Sequence, residues 1–367
     1  MAASENRVRI RLDRPSDRSH DVVFADLKDL PALLDEGGLG ADACLVVTDA
    51  NVAGHHGDAL GSYLKEAGWH VRQVVIDPGE TSKSFTSYGR LLDRALEKPI
   101  TRKTLVLAFG GGVVGDLAGF AAATLLRGLP LVQVPTTLVA QVDSAIGGKT
   151  GINHATGKNL IGSFYQPRLV VVDTKLLETL PEAEWMDGLS EVVKYGLIAD
   201  ATFAESLLDN WHRVLARDRR FVLEMVRRCV EIKADVVSQD ETELGLRAIL
   251  NFGHTFGHAI ERVAGYTGVT HGQAVAVGMR AALHLSTICH PAADLRIALD
   301  LLARLPSVSV KATSDELMEA MASDKKRVGS ALRFVVLTET GHATVIEGVG
   351  QKDIRSAWEY AMEPSRN

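Results

Sequence analysis

TLVLAFGGGVVGDLAGFAA, residues 104–122, passes from a short apolar run through a cluster of glycines into a second apolar stretch. Residues 104–110 read as a buried strand, rich in Val and Leu and closed by turn residues. The segment after the glycines has helix-like spacing. Gly110, Gly112 and Gly115 form G-x-G-x-x-G between the two. Glycine lets the backbone approach a pyrophosphate, and the opening helix offers free N–H groups and the positive end of its dipole. The plainer reading is a tight strand-to-helix turn, so the motif takes its weight from its setting.

That setting is a series of similar runs: ACLVVTD (43–49), VRQVVID (71–77), LVQVPTT (131–137) and LVVVDT (169–174), with helical patterns between several of them. Such alternation predicts a mostly parallel, Rossmann-like sheet covered on both faces, with ligands beyond the carboxyl ends of the strands. An ordinary dinucleotide fold would place a ribose-binding acid at the end of the next strand, but QVPTT has none. Acids end earlier runs, at Asp49 and Glu80, so an adenosine half would lie towards them; Asp49 could equally be an Asx-turn residue. Beyond about residue 175 apolar positions recur at helical spacing, and one strand pair is expected within ALRFVVLTETGHATVIEGV (331–349). The reading is an α/β domain over residues 1–175 and a mainly α-helical domain over 176–367, packed around a cleft.

Composition narrows the function. The chain has 367 residues, 46% hydrophobic, enough for two domains with cores. A net charge of −6 argues against a nucleic-acid partner. The polar opening lacks the apolar run of a signal peptide, and no stretch suits a membrane span. Cys44, Cys229 and Cys289 lie far apart without a CxxC, which fits reduced thiols and a cytoplasmic location.

Three further stretches carry chemistry. Residues 135–167 read as one long polar loop, with Asp143, Lys149, Lys158 and Asn159 among glycines; loops of that length are uncommon unless they function. GLSEVVKYGLI sets Glu191 and Lys194 three apart on an otherwise apolar segment. An unpaired charge there is costly, and a metal or an anionic substrate would relieve the cost. In NFGHTFGHAIE, residues 251–261, His254 and His258 stand four apart, and His271 opens the next helix. Thr255 occupies the place of the glutamate in a zinc-peptidase HExxH. Glu191, His254, His258 and His271 are therefore candidates for a metal site, and spacing does not say which three ligate. Lys233, Arg247, Lys325 and Lys326 add cations that surface charge alone could explain.

In this order, PGETSK, GGGVVGDLAGF, LLRG, PTTLVAQVDSAIGGKTGIN, GKNLIGSFYQP, LSEVVKYG, DETELGLRAILNFGHTFGHAIE and HGQAVAVGM resemble the dehydroquinate synthase family of sugar-phosphate cyclases, from about residue 46 to 337. The resemblance implies an NAD domain, a helical metal domain and a zinc or cobalt ion. It implies conversion of 3-deoxy-D-arabino-heptulosonate 7-phosphate into 3-dehydroquinate and phosphate, the second step of the shikimate pathway. The route is transient oxidation, phosphate elimination, reduction and aldol cyclisation.

By the same resemblance, Glu191, His254 and His271 hold the metal, while His258 faces the substrate phosphate. Asp49, Asn51, Glu80, Lys83, Gly111, Gly112, Val113, Asp116, Thr136, Thr137, Asp143, Ser144, Lys158, Thr179 and Leu180 fall at NAD-contacting positions. Lys149 and Asn159 fall on the phosphate side, with Lys325 or Lys326. Lys194, Lys233, Arg247 and Asn251 match contacts to the substrate's carboxylate and hydroxyls, and Arg127 a residue that reaches a neighbouring subunit in a homodimer. Gln273, Ala145 and Val139 depart from the family's usual residues without removing a group of named role. Another sugar-phosphate cyclase, a metal-dependent polyol or alcohol dehydrogenase and a catalytically dead NAD-binding regulator are the rival readings.

Overall fold

Five Val- and Leu-rich runs build one parallel sheet in the computed structural model, which describes residues 18–40, 43–265, 268–308, 310–328 and 332–363. The sheet strands are β1 (Asp21–Phe24), β2 (Ala43–Asp49), β3 (His70–Ile76), β4 (Leu105–Gly110), β5 (Leu131–Pro135) and β8 (Leu169–Val172), in the order β1-β8-β5-β4-β2-β3. Every pairing in it is parallel. Side chains alternate across a strand, and here both faces are apolar and covered. Leu105, Leu107 and Phe109 join one buried cluster, while Val106 and Ala108 join another on the opposite face. β1 is a sixth strand absent from the expectation, being only four residues long.

The strand order fixes where a ligand can sit. β3 lies on one side of β2 and β4 on the other. The crossovers therefore diverge between β2 and β4, and a crevice opens at their carboxyl ends. Asp49 closes β2 and Gly110 closes β4, so the acid and the glycine turn face the same crevice.

Residues 135–167, expected as an irregular loop, are mostly ordered. After β5 comes one helical turn, Ala140–Ser144, and then an antiparallel hairpin of β6 (Lys149–His154) and β7 (Gly157–Phe164). Its glycines misled the loop reading. Gly151 and Gly162 face each other across the hairpin, where an added Cβ would meet the opposite backbone at 2.5 and 2.1 Å. Their absence of side chains serves strand pairing.

The second half is helical as expected. The helices that bear on the site are Glu182–Ala199, Arg219–Gln239, His254–Val263 and His271–Cys289. The expected strand pair is β9 (Arg333–Glu339) and β10 (His342–Glu347), antiparallel. Helices His254–Val263 and His271–Cys289 cross at glycine. A Cβ on Gly278 would lie 2.1 Å from the Gly253 carbonyl oxygen and 2.8 Å from the Gly257 nitrogen. This contact brings the two histidine-bearing helices close enough to share a site. Gly278→Ala gains about 1 kcal/mol of helix propensity but must push two backbones apart, which costs more. Its melting temperature should fall by about 1–3 °C in a thermal scan; an unchanged value would show that the crossing has slack.

Candidate active site

Glu191 sits in the middle of helix Glu182–Ala199, in a run that is buried from Gly188 to Ile198. Its Oε1 lies 3.6 Å from Nε2 of His254 and 3.5 Å from Nε2 of His271. The three ligand atoms all fall within 4.8 Å of one another. Donors bound to zinc at about 2.0–2.1 Å in a tetrahedron stand about 3.3–3.4 Å apart, so these spacings fit one shared cation. Both Glu191 oxygens are buried, Oε2 against Lys194 and Oε1 facing the two imidazoles, which suits a carboxylate directed at a metal.

The imidazoles are aimed from behind. His254 Nδ1 lies 3.3 Å from the Phe252 carbonyl oxygen, so an N–H there leaves Nε2 free to ligate. His271 Nδ1 lies 3.4 Å from Glu261 Oε1, which does the same for the second ring. Burial, helped by the Lys194 ammonium, pushes His254 down to about 3 and keeps it neutral. Burial also opposes charge on His271, but Glu191 and Glu261 outweigh it and raise that ring to about 10. His258 is exposed and one turn away, its ring centroid 5.5 Å from that of His254. Among the described residues, Glu191, His254 and His271 are the group placed to hold a metal ion. The i, i+4 pair splits because the first ring turns inward to Glu191 while the second stays at the rim.

Beside the metal set runs a buried charge network. Lys194 Nζ pairs with Glu191 Oε2. Lys233 Nζ donates to both Oδ1 and the backbone carbonyl of Asp143, at 2.7 and 2.6 Å. The Tyr195 hydroxyl donates to the same Oδ1 at 2.5 Å. Burial alone would raise Asp143, but Lys233 and Lys194 overcome it and hold the carboxyl well below its ordinary value. Burial lowers Lys233 despite Asp143. A second group lies between the hairpin and the loop after helix Arg219–Gln239. Glu243, at φ 62°, pairs with Lys149 and accepts from Asn251 Nδ2 at 2.6 Å. Arg247 is 1% exposed, donates from Nη2 to the Gly147 carbonyl at 3.1 Å and contacts the Glu241 carbonyl.

The glycine turn supplies the other half of the crevice. Helix Gly112–Thr124 begins at it. A Cβ on Gly111 would meet Thr137, and one on Gly112 would meet Ser144, each at 2.9 Å. Gly115 packs on Gln133 of the sheet, where a Cβ would come within 3.0 Å. The hydroxyls of Thr136 and Ser144 are buried here without hydrogen-bond partners. Free N–H groups at a helix start and two unsatisfied hydroxyls fit a phosphate-bearing ligand.

Residues 73–187 match the family described as 3-dehydroquinate synthase N-terminal, and residues 188–327 the one described as 3-dehydroquinate synthase C-terminal. A 3-dehydroquinate synthase of Salinibacter ruber is 53% identical over 349 residues, 94% of this chain and 95% of that protein. One of Bordetella pertussis is 45% identical over 323 residues, 87% of this chain and 90% of that protein. The chain belongs to the 3-dehydroquinate synthase family.

Its fold agrees with solved structures. The 2-epi-5-epi-valiolone synthase of Streptomyces hygroscopicus, solved with NAD+ and Zn2+, superposes with a TM-score of 0.86 at 30% identity, covering 96% of this chain and 99% of that one. A 2-deoxy-scyllo-inosose synthase complexed with carbaglucose-6-phosphate, NAD+ and Co2+ gives 0.82 at 26% identity, over 94% and 96%. An iron-containing alcohol dehydrogenase at 18% identity and a TM-score of 0.64 shares the fold alone.

The remaining residues named from the dehydroquinate synthase resemblance are distributed as follows. Lys83 is buried and donates to Asp116 and Asn159, at 2.6 and 2.5 Å. Asn159, expected on the phosphate side, thus shares Lys83, expected at the cofactor, with Asp116. Glu80 accepts from Asn153 Nδ2 at 2.7 Å. Asp49 caps the next helix, accepting from the N–H groups of Asn51 and Val52, so the Asx-turn reading is realised. Thr179 bonds His56, and the Leu180 carbonyl accepts from Arg217. Val113 lies in the first turn of the glycine-turn helix. Lys158, expected at the cofactor, reaches Glu261 at 2.8 Å. Arg127 is exposed on a left-handed bend at φ 65°. Lys325 and Lys326 belong to helix Ser314–Val328, and their side chains lie outside the described residues.

Tyr195, Glu243 and Glu261 were not foreseen. Tyr195 lies in GLSEVVKYGLI, which reads as apolar apart from Glu191 and Lys194. Glu243 lies in an acidic run, DETE, that reads as solvated surface. Glu261 follows the histidines at helical spacing, the one available hint. Gln273 completes a capping box with Thr270, which explains how the departure from the usual residue is accommodated.

Asp143 supplies a pH test. Its folded value lies below its unfolded one, so it stabilises the fold above about pH 4 and loses that contribution as pH falls further. Asp143→Asn should flatten the decline in urea stability between roughly pH 4 and 3 by up to about 1.4 kcal/mol per pH unit. Parallel curves for the two proteins would remove Asp143 from the acid response.

Proposed function

We propose that this protein converts 3-deoxy-D-arabino-heptulosonate 7-phosphate into 3-dehydroquinate and inorganic phosphate, with NAD and a divalent zinc or cobalt ion as cofactors. The observation that carries the reading is the convergence of Glu191, His254 and His271 on one point beside buried Lys194 and Lys233, in a chain of this family. Loss of phosphate breaks a carbon–oxygen bond, so the reaction is that of a lyase and serves the shikimate route to aromatic amino acids.

Glu191, His254 and His271 would hold the cation, and the glycine turn with Thr136 and Ser144 would hold the dinucleotide. When bound, the metal polarises substrate oxygens and NAD exchanges a hydride with the sugar carbon, ending as it began. The protein's own groups orient the substrate. Lys194, Lys233 and Arg247 offer fixed cations and donors to a carboxylate and hydroxyls. Asp143, kept ionised, can accept from a substrate hydroxyl but is a poor proton acceptor. With Glu191 and Asp143 both committed, the substrate's own phosphate is the base for elimination in this reading. Lys149, Asn251 and Glu243 form one polar wall, and His258 stands at the metal rim.

We assign residues 1–175 to an NAD-binding α/β domain and 176–367 to a helical metal- and substrate-binding domain, in a cytoplasmic homodimer. Among the described residues no helix is long and apolar enough to cross a membrane. In support of a dimer, Leu126 and Arg127 take left-handed backbone on an exposed bend, and Leu160 and Phe164 of the hairpin are also exposed.

The test is a phosphate-release assay with the heptulosonate phosphate, zinc and NAD+, followed at 340 nm. Phosphate should be released with no net NADH, and chelation should abolish turnover until zinc or cobalt is restored. Stoichiometric NADH without phosphate would point instead to a dehydrogenase, and full activity in metal-free protein would remove the metal from the reaction.

A further inference from the structure

Glu261 is buried at 3% exposure on the helix that carries His254, two turns further on. A buried carboxylate needs partners of high quality, and its position shows what they are for. Oε1 lies 3.4 Å from Nδ1 of His271 and 2.8 Å from Nζ of Lys158. One oxygen thus touches a metal ligand of the helical half and a lysine on β7 of the hairpin. The hairpin in turn packs on helix Gly112–Thr124, where a Cβ on Gly119 would strike Thr150 at 2.4 Å. That helix begins at the glycine turn.

Two physical consequences meet at this oxygen. For His271 to ligate through Nε2, its hydrogen must sit on Nδ1, and an acceptor behind the ring selects that tautomer and fixes the ring's direction. A carboxylate left without a cation in this place would be costly, and Lys158 offsets the cost. A simple buried ion pair would need Lys158 alone. The shared oxygen instead makes the aim of His271 depend on the position of the hairpin lysine.

We propose that Glu261 is a positioning residue that aims His271 at the metal and, through Lys158, couples metal affinity to occupancy of the dinucleotide side. This rests on the metal and NAD sites described above. Glu261 acts through His271 on one side and Lys158 on the other. Coupling of this kind is reciprocal, so NAD tightens zinc by the factor by which zinc tightens NAD.

The experiment is competition of the full-length protein with a chromophoric zinc chelator, with and without NAD+, for wild type, Glu261→Gln, Lys158→Met and the double variant. Glu261→Gln should weaken zinc binding by about 10- to 100-fold. Lys158→Met should weaken it less but abolish the NAD-dependent change seen in wild type. The double variant should lose less than the sum of the two single losses, because both act through one oxygen. Unchanged zinc affinity in Glu261→Gln would end the positioning role, and an intact NAD effect in Lys158→Met would end the coupling. Should Glu261→Gln fail to fold, Lys158→Met, on the partly exposed hairpin, still decides the coupling. Wild-type protein that binds no zinc would overturn the metal site itself, a result distinct from any of these.

Discussion

A carboxylate with both oxygens buried in the middle of an apolar helix is the constraint around which the site is arranged. Glu191 cannot be left alone at 1% exposure. Lys194, three residues on, neutralises one side, and His254 and His271 approach the other. A salt bridge this deep is weak evidence of stabilisation, because desolvation offsets much of the attraction. Its value is in geometry: the helix is buried from Gly188 to Ile198, so the donor oxygen is fixed before any ligand arrives. The two histidines come from helices that cross at Gly278, and the close crossing sets the distance between their rings.

The polar network then ties the halves of the chain together. Asp143, just before the hairpin, takes Lys233 and Tyr195 from two helices of the second half. Arg247 reaches back to the Gly147 carbonyl, and Lys158 to Glu261. Each is a polar bond across the same crevice, so substrate and cofactor would be met by groups whose positions depend on one another. Such an arrangement suits chemistry in which oxidation, elimination and reduction occur on one bound molecule.

Much of this was legible in the sequence. Buried parallel strands need continuous apolar runs, so five of the six sheet strands announced themselves, and the glycines of the turn fell where close backbone approach demands them. The residue types of the candidate metal set were readable from spacing, but spacing left open the choice among three histidines, which only the family resemblance supplied. Spacing of four places His254 and His258 on one helix face, yet only tertiary packing turns one ring inward. The hairpin of 149–164 was hidden because its glycines mimic loop composition while serving close strand contact. Glu243 and Glu261 were hidden because a charged residue in sequence carries no mark of what will cover it.

The ligand set around the metal is the claim on which the rest stands. X-ray absorption on the zinc-loaded protein, with His254→Ala and His258→Ala beside it, tests it most directly. The account predicts two imidazole nitrogens with oxygen donors at about 2.0–2.1 Å, one imidazole lost in the first variant and none in the second. Three imidazoles in the wild type, or loss of one on replacing His258, would contradict it.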